Sequence, residues 1–156
     1  MSVNLKSLQI VIDLARRKRD QWGAQVAAAH RELQQAQDQL AQLSHFADEG
    51  QTKWLSRAAE GVTPVLMQHH NEFALKIQHA IDFQGRVIGQ REGRLQAELG
   101  GLQAAERELA TLEKVAENSR LVRQKIAHKA EQKLNDEMAM TMLAHQRRLA
   151  EQEHAP

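Results

Sequence analysis

The residues best equipped for chemistry in this chain are its histidines and its paired carboxylates. His69-His70-Asn71-Glu72, with His79 further along, is the grouping whose residue types suit a metal ion. Adjacent residues on a helix point about 100° apart, so His69 and His70 cannot both face one cation, whereas a His-xxx-His spacing could. Histidines on a solvated polar face are the simpler reading. Glu106 and Glu108 form a carboxylate pair, but general acid–base work needs a pocket that shifts a pKa, and a slender helix offers none. GxxxxGK[ST], GxGxxG and GxSxG are absent, and without cysteine there is no thiol nucleophile, thiolate metal site or disulfide. No catalytic residue, metal or cofactor is expected, and the chain does not read as an enzyme.

Two further patterns invite sharper readings. Gly85, Gly89 and Gly93 repeat as GxxxG, a sign of close helix packing in lipid. Arg86, Gln90, Arg91, Glu92 and Arg94 are interleaved, so the motif is not membrane-embedded. It reads as a flexible point in a helix or a place where a partner's backbone comes close. Arg16-Arg17-Lys18-Arg19 precedes a heptad run, as in basic leucine zippers. The residues upstream already belong to an apolar seam, so a DNA-reading extension is missing and no nucleic-acid partner is expected.

The elements that carry these residues are legible. Alternating steps of three and four from Leu5 land on Leu5, Leu8, Ile12, Ala15, Arg19, Trp22, Val26, Ala29, Leu33, Ala36, Leu40, Leu43 and Ala47, all apolar or alanine except Arg19. This spacing keeps one helical stripe against a partner, over about 65 Å at a rise of about 1.5 Å per residue. Breakers follow at Asp48-Glu49-Gly50 and at Glu60-Gly61-Val62-Thr63-Pro64. Trp54, Leu55, Ala58 and Ala59 between them suggest a frayed turn. Thr63-Pro64 reads as an N-cap followed by proline at the first helical position. The spacing resumes at Phe73, Ile77, Ala80, Gln84 and Val87, slips by one residue across Gly85, Gly89 and Gly93, and continues through Leu95, Glu98, Leu102, Ala105, Leu109, Leu112 and Ala116. From Val122 the stripe advances in steps of four (Ile126, Ala130, Leu134, Met138, Met142) and drifts around the helix.

The fold class expected is all-α, a long two-helix antiparallel coiled-coil hairpin. A three-helix bundle with a turn at Gly100-Gly101 is the alternative. Residues 1–156 are expected to form a single coiled-coil domain, with helix one at about 4–58, a connection at about 59–63 and helix two at about 64–150. The chain ends should meet at one pole, with part of the longer second helix overhanging or packing on a partner. With 21 basic and 20 acidic residues the net charge is +1, yet residues 1–20 carry +3, residues 120–148 carry +4 and the remainder −6. One basic pole is therefore expected, able to steer the chain toward an acidic partner. The N-terminal apolar run precedes its basic cluster, the wrong order for a secretory signal. No stretch approaches the about 18 apolar residues of a membrane span. A cytoplasmic protein without direct membrane insertion is expected.

Four of the five aromatic residues, Phe46, Trp54, Phe73 and Phe83, fall between positions 46 and 83. A two-helix tip has no interior for four rings, so some should face a partner.

The chain also resembles the flagellar type III export family FliJ. The likeness runs through LQQAQDQLAQLSHF (33–46), NEFALKIQHAIDFQ (71–84) and AEQKLNDEMA (130–139), which is similar to the family's EQK-x-x-DE signature. The resemblance implies a non-enzymatic stalk-like coiled coil that enters the hexameric flagellar export ATPase, FliI, and promotes its assembly. It also implies coupling to the membrane export-gate protein FlhA, association with the ATPase regulator FliH, escort of export chaperones, and a peripheral place on the cytoplasmic face at the flagellar base. The family's gate-binding run maps onto Phe73, Ile77, Ala80 and Gln84, with a facing run on Gln39, Leu43 and Phe46. Where that facing run would continue with an aromatic, this sequence has Gly50. Charge suggests Arg16, Arg17, Arg19, Arg123, Lys125 and Lys133 for the ATPase. Competing readings are the equivalent stalk of a virulence injectisome and a generic structural or nucleic-acid-binding coiled coil.

Overall fold

Helix-forming residues dominate the chain, and each long run of them begins at a residue that can cap a helix. In the computed structural model, which describes residues 4–154, α1 spans Leu5–Ala59 and α2 spans Pro64–Glu153. The two pack against each other as a hairpin, with no strand among the described residues. Asn4 opens α1, its Oδ1 accepting from the Lys6 backbone N–H at 3.1 Å. Thr63 opens α2, its Oγ1 accepting from the Leu66 N–H at 3.2 Å, while Pro64 takes the first helical position, where a missing N–H costs nothing. α1 closes on hydrogen bonds from Glu60 and Gly61 to the Arg57 and Ala58 carbonyls. Gly61 then turns the chain at φ 98°, a conformation that residues with a Cβ resist.

Asp48-Glu49-Gly50 does not break the first helix. α1 runs regularly through it to Ala59, with Thr52 Oγ1 donating to the Asp48 carbonyl at 3.0 Å and His45 beside Glu49 at 3.0 Å. One mid-helix glycine costs about 1 kcal/mol, which the packing of half-buried Trp54 and Ala58 beyond it offsets. The alternative turn at Gly100-Gly101 is likewise not formed, because α2 continues through both glycines.

The packing divides the chain into two compact units, residues 14–109 and, separately, residues up to Asp13 with those from Ala110 onward. In the first, Ala15, Ala29, Leu33 and Ala36 of α1 and Leu95, Ala105 and Leu109 of α2 are buried. Ala29, Leu33 and Leu95 form its tightest cluster, with Val26, Ile88 and Leu99 packed around them. Alanine recurs in the seam, at Ala15, Ala29, Ala36 and Ala105, so the core is narrow and holds no large side chain in full burial. Arg91 and Arg94 reach Glu32, and Lys18 reaches Glu108 at 3.3 Å. These pairs are exposed, so each adds little beyond register.

Gly101 has a specific partner. A Cβ placed there would sit inside the van der Waals envelope of the Trp22 ring, whereas one on Gly100 would meet nothing within 4 Å. The ring lies flush against α2 because position 101 lacks a side chain.

In the second unit Leu8 and Ile12 are buried, and Leu112, Ala116 and Ser119 are half-buried. Beyond Ser119 every described residue of α2 is exposed. The longer second helix thus has the uncovered length expected of it. α1 has 55 residues and α2 has 90, so the stripe Val122, Ile126, Leu134, Met138 and Met142 faces solvent.

Gly101→Ala should lower stability by about 1–3 kcal/mol through overpacking against Trp22. Gly100→Ala should raise it by up to about 1 kcal/mol through helix propensity. Thermal unfolding followed by circular dichroism tests both, and Trp22→Ala should reverse the sign of the Gly101→Ala effect.

Candidate docking site beside the helix connection

The 3-4 count that organises α1 does not stop at Ala47. Its next steps are Gly50 and Trp54, which puts a residue without a side chain and a large ring on the face turned toward α2. Across from them α2 presents His70 and Phe73. The Trp54 and His70 rings stack in parallel, with centroids 4.0 Å apart and planes 2° apart. About two turns back along α1, Phe46 meets Phe73 edge to face at 5.8 Å and 73°, a favoured aromatic geometry. Both phenylalanines keep about half their surface in solvent, 51% for Phe46 and 44% for Phe73. Phe83 is exposed as well, under the Arg86 guanidinium at 5.8 Å from its centroid. Of the four clustered aromatics, three are exposed and Trp54 is half-buried.

The residues mapped from the gate-binding run lie on facing stretches of the two helices but differ in presentation. Phe46 and Phe73 stand outward as a pair. Leu43, Ile77 and Ala80 are half-buried, and Gln39 is exposed. Gln84 is turned inward and is the buried polar residue of the seam, 8% exposed. Its Nε2 donates to the Ala36 carbonyl at 2.9 Å and to Gln39 Oε1 at 3.1 Å. A buried amide engaged in this way fixes helix register. Its place in the site is to hold α1 and α2 in phase.

Between the two helices lie two adjoining hollows. One, of about 160 Å³, opens beside Ala47, Gly50, Phe73 and Ile77. The other, of about 450 Å³, is bordered by Lys53, Trp54, Arg57 and His70. They share Gly50, His70 and Phe73. An added Cβ on Gly50 would touch Phe73 Cε1 at 3.8 Å, so the missing side chain keeps the first hollow open. Sequence reasoning missed these features by reading Gly50 as a breaker; counting one heptad further would have placed Gly50 and Trp54 in the seam.

The basic candidates divide between the two units. Arg16, Arg17 and Arg19 lie on α1 in the unit of residues 14–109, and the Arg19 guanidinium is engaged by Asp20 Oδ1 at 2.9 Å. Arg123, Lys125 and Lys133 lie on the uncovered length of α2 in the other unit. At the start of that length Arg120 donates to Glu117 Oε1 at 2.6 Å. The bond holds the Glu117 carboxyl below its usual range and the guanidinium above its own. Among the described residues no group of three or more His, Asp or Glu is placed to hold a metal ion, and no helix is long and apolar enough to cross a membrane.

A family model described as flagellar FliJ protein matches residues 5–148. The chain belongs to this family. The match covers both helices, both hollows and most of the uncovered length of α2. No curated protein and no solved structure matches the chain. Membership in the FliJ family makes the chain a non-enzymatic component associated with the flagellar export apparatus.

Gln84→Ala should cost about 1–3 kcal/mol in urea unfolding, since it removes a buried side chain and its two hydrogen bonds across the seam. Gln39→Ala, at an exposed position, should cost less than half as much.

Proposed function

We propose that this FliJ-family chain links the hexameric export ATPase to the membrane export gate and escorts export chaperones. The observation that carries the reading is the outward Phe46–Phe73 pair, two rings in edge contact with about half their surface in water. Rings held in this way are organised before binding and expose contact area at little entropic cost, the character of interface hot spots. Phe73, Ile77, Ala80, Leu43 and Phe46 form the contact face for the gate. Gln84 and Gln39 support it from the seam by fixing the register on which the face depends.

The second contact is the uncovered length of α2. It presents Leu121, Val122, Ile126, Leu134, Met138 and Met142 to solvent, alongside Arg123, Lys125 and Lys133. An apolar stripe flanked by cations suits a protein surface of acidic character. In this reading that length seats in the ATPase. Arg16, Arg17 and Arg19 add a basic surface on α1. Association with the ATPase regulator FliH and a peripheral place at the cytoplasmic membrane follow from the same assembly. The flagellar family match supports the flagellar apparatus over a virulence injectisome.

Phe73→Ala combined with Ile77→Ala should abolish capture of the gate protein and swarming while leaving helical circular dichroism unchanged. Wild-type swarming by this variant would refute the gate contact. Lys125→Glu with Lys133→Glu should instead weaken co-sedimentation with the export ATPase about tenfold at low salt and leave gate capture intact.

A further inference from the structure

The two hollows beside Gly50 have a chemistry of their own. The smaller is lined by Ala47, Gly50, Phe73, Ala74 and Ile77 with polar groups at its edge, and its volume of about 160 Å³ compares with the about 150 Å³ of apolar cavity that holds a benzene ring. The larger is bordered by Lys53 and Arg57, one turn apart on α1. Neither side chain makes an ion pair among the described residues, and no acidic residue lines either hollow. Trp54, stacked on His70, lines the larger hollow beside the two cations.

We infer that this face captures an acidic protein segment by inserting one large apolar side chain into the hollow at Gly50, with Lys53 and Arg57 pairing the carboxylates beside it. The inference rests on the reading that the Phe46–Phe73 face docks onto a protein, and it adds the chemistry of the docked segment. Gly50 sets its specificity, because an aliphatic side chain at that position would fill the space the incoming residue needs. Lys53 and Arg57 set its charge preference and make capture salt-dependent. Nucleic acid fits less well, since two cations do not make the basic stripe that tracks a phosphate backbone.

The test uses the full-length chain and short fluorescent peptides. One peptide is rich in Asp and Glu around a single central Phe; in a second, Ala replaces that Phe; in a third, Lys replaces the acidic residues. Fluorescence anisotropy should show binding of the first peptide only. Gly50→Leu, and separately Lys53→Glu with Arg57→Glu, should each weaken it about tenfold, and salt of about 0.3 M should weaken the wild-type interaction similarly. Gly50→Ala should bind like wild type, since its Cβ makes ordinary contact with Phe73 and shows that helix content is not the cause.

Equal binding of the first and second peptides, or a short single-stranded DNA that displaces the first peptide completely, would overturn the inference. Gate capture lost in Phe73→Ala/Ile77→Ala yet unchanged in Gly50→Leu and Lys53→Glu/Arg57→Glu would overturn the inference and leave the gate reading standing. Capture of the acidic Phe peptide in a Gly50-dependent manner, with no gate capture by the wild type, would uphold the inference and overturn the gate reading instead.

Discussion

A seam one side chain wide governs this molecule. In the unit of residues 14–109, Ala15, Ala29, Leu33 and Ala36 are buried from α1, and Leu95, Ala105 and Leu109 from α2. Two helices joined along such a line have no second layer, so a residue outside the stripe is in water whatever its type. Alanine in the seam narrows it further by bringing the backbones together. Bulky groups are then accommodated in two ways. Trp22 lies against the bare backbone of Gly101, while Phe46 and Phe73 lean on each other and remain half in solvent.

This constraint links the packing to the candidate site. Where the seam has a large residue on one helix and none on the other, the surface stays filled, as at Trp22 and Gly101. Where the small residue is Gly50 and the opposing ring, Phe73, leans on Phe46, the surface opens. The same substitution of nothing for something gives a tight crossing in one place and a hollow in another. Gln84 contributes a third kind of seam position, a polar one, whose two hydrogen bonds to α1 tie the exposed rings to a single helix phase. Function at the surface and register in the interior are in this way one structural problem.

Much of this was legible in the sequence. The 3-4 count from Leu8 to Ala47 marks residues that are buried or half-buried, and Thr63-Pro64 marks the start of α2 as its hydrogen bond bears out. Exposure of the rings followed from the lack of an interior. What escaped was each feature whose cause lies on the opposite helix. Gly101 looks like a possible turn until Trp22 is known to cover it. Gly50 looks like a breaker until Phe73 of α2 is found beside it. Gln84 looks like a surface residue in the same run as Phe73 until Ala36 and Gln39 are found as its acceptors. A periodicity shows which way a side chain points but not what it meets.

The unequal lengths of the two helices have a consequence for how the protein ages and is handled in a cell. Past Ser119 every described residue of α2 is exposed, so that stretch rests on backbone propensity more than on a packed core. Its amide hydrogens trade with solvent sooner than those near Leu33 or Leu95, and peptidases find their first cuts there. A partner wrapped around that stretch would shield it from both, and the free and the assembled molecules would then differ in lifetime even where their folds are the same.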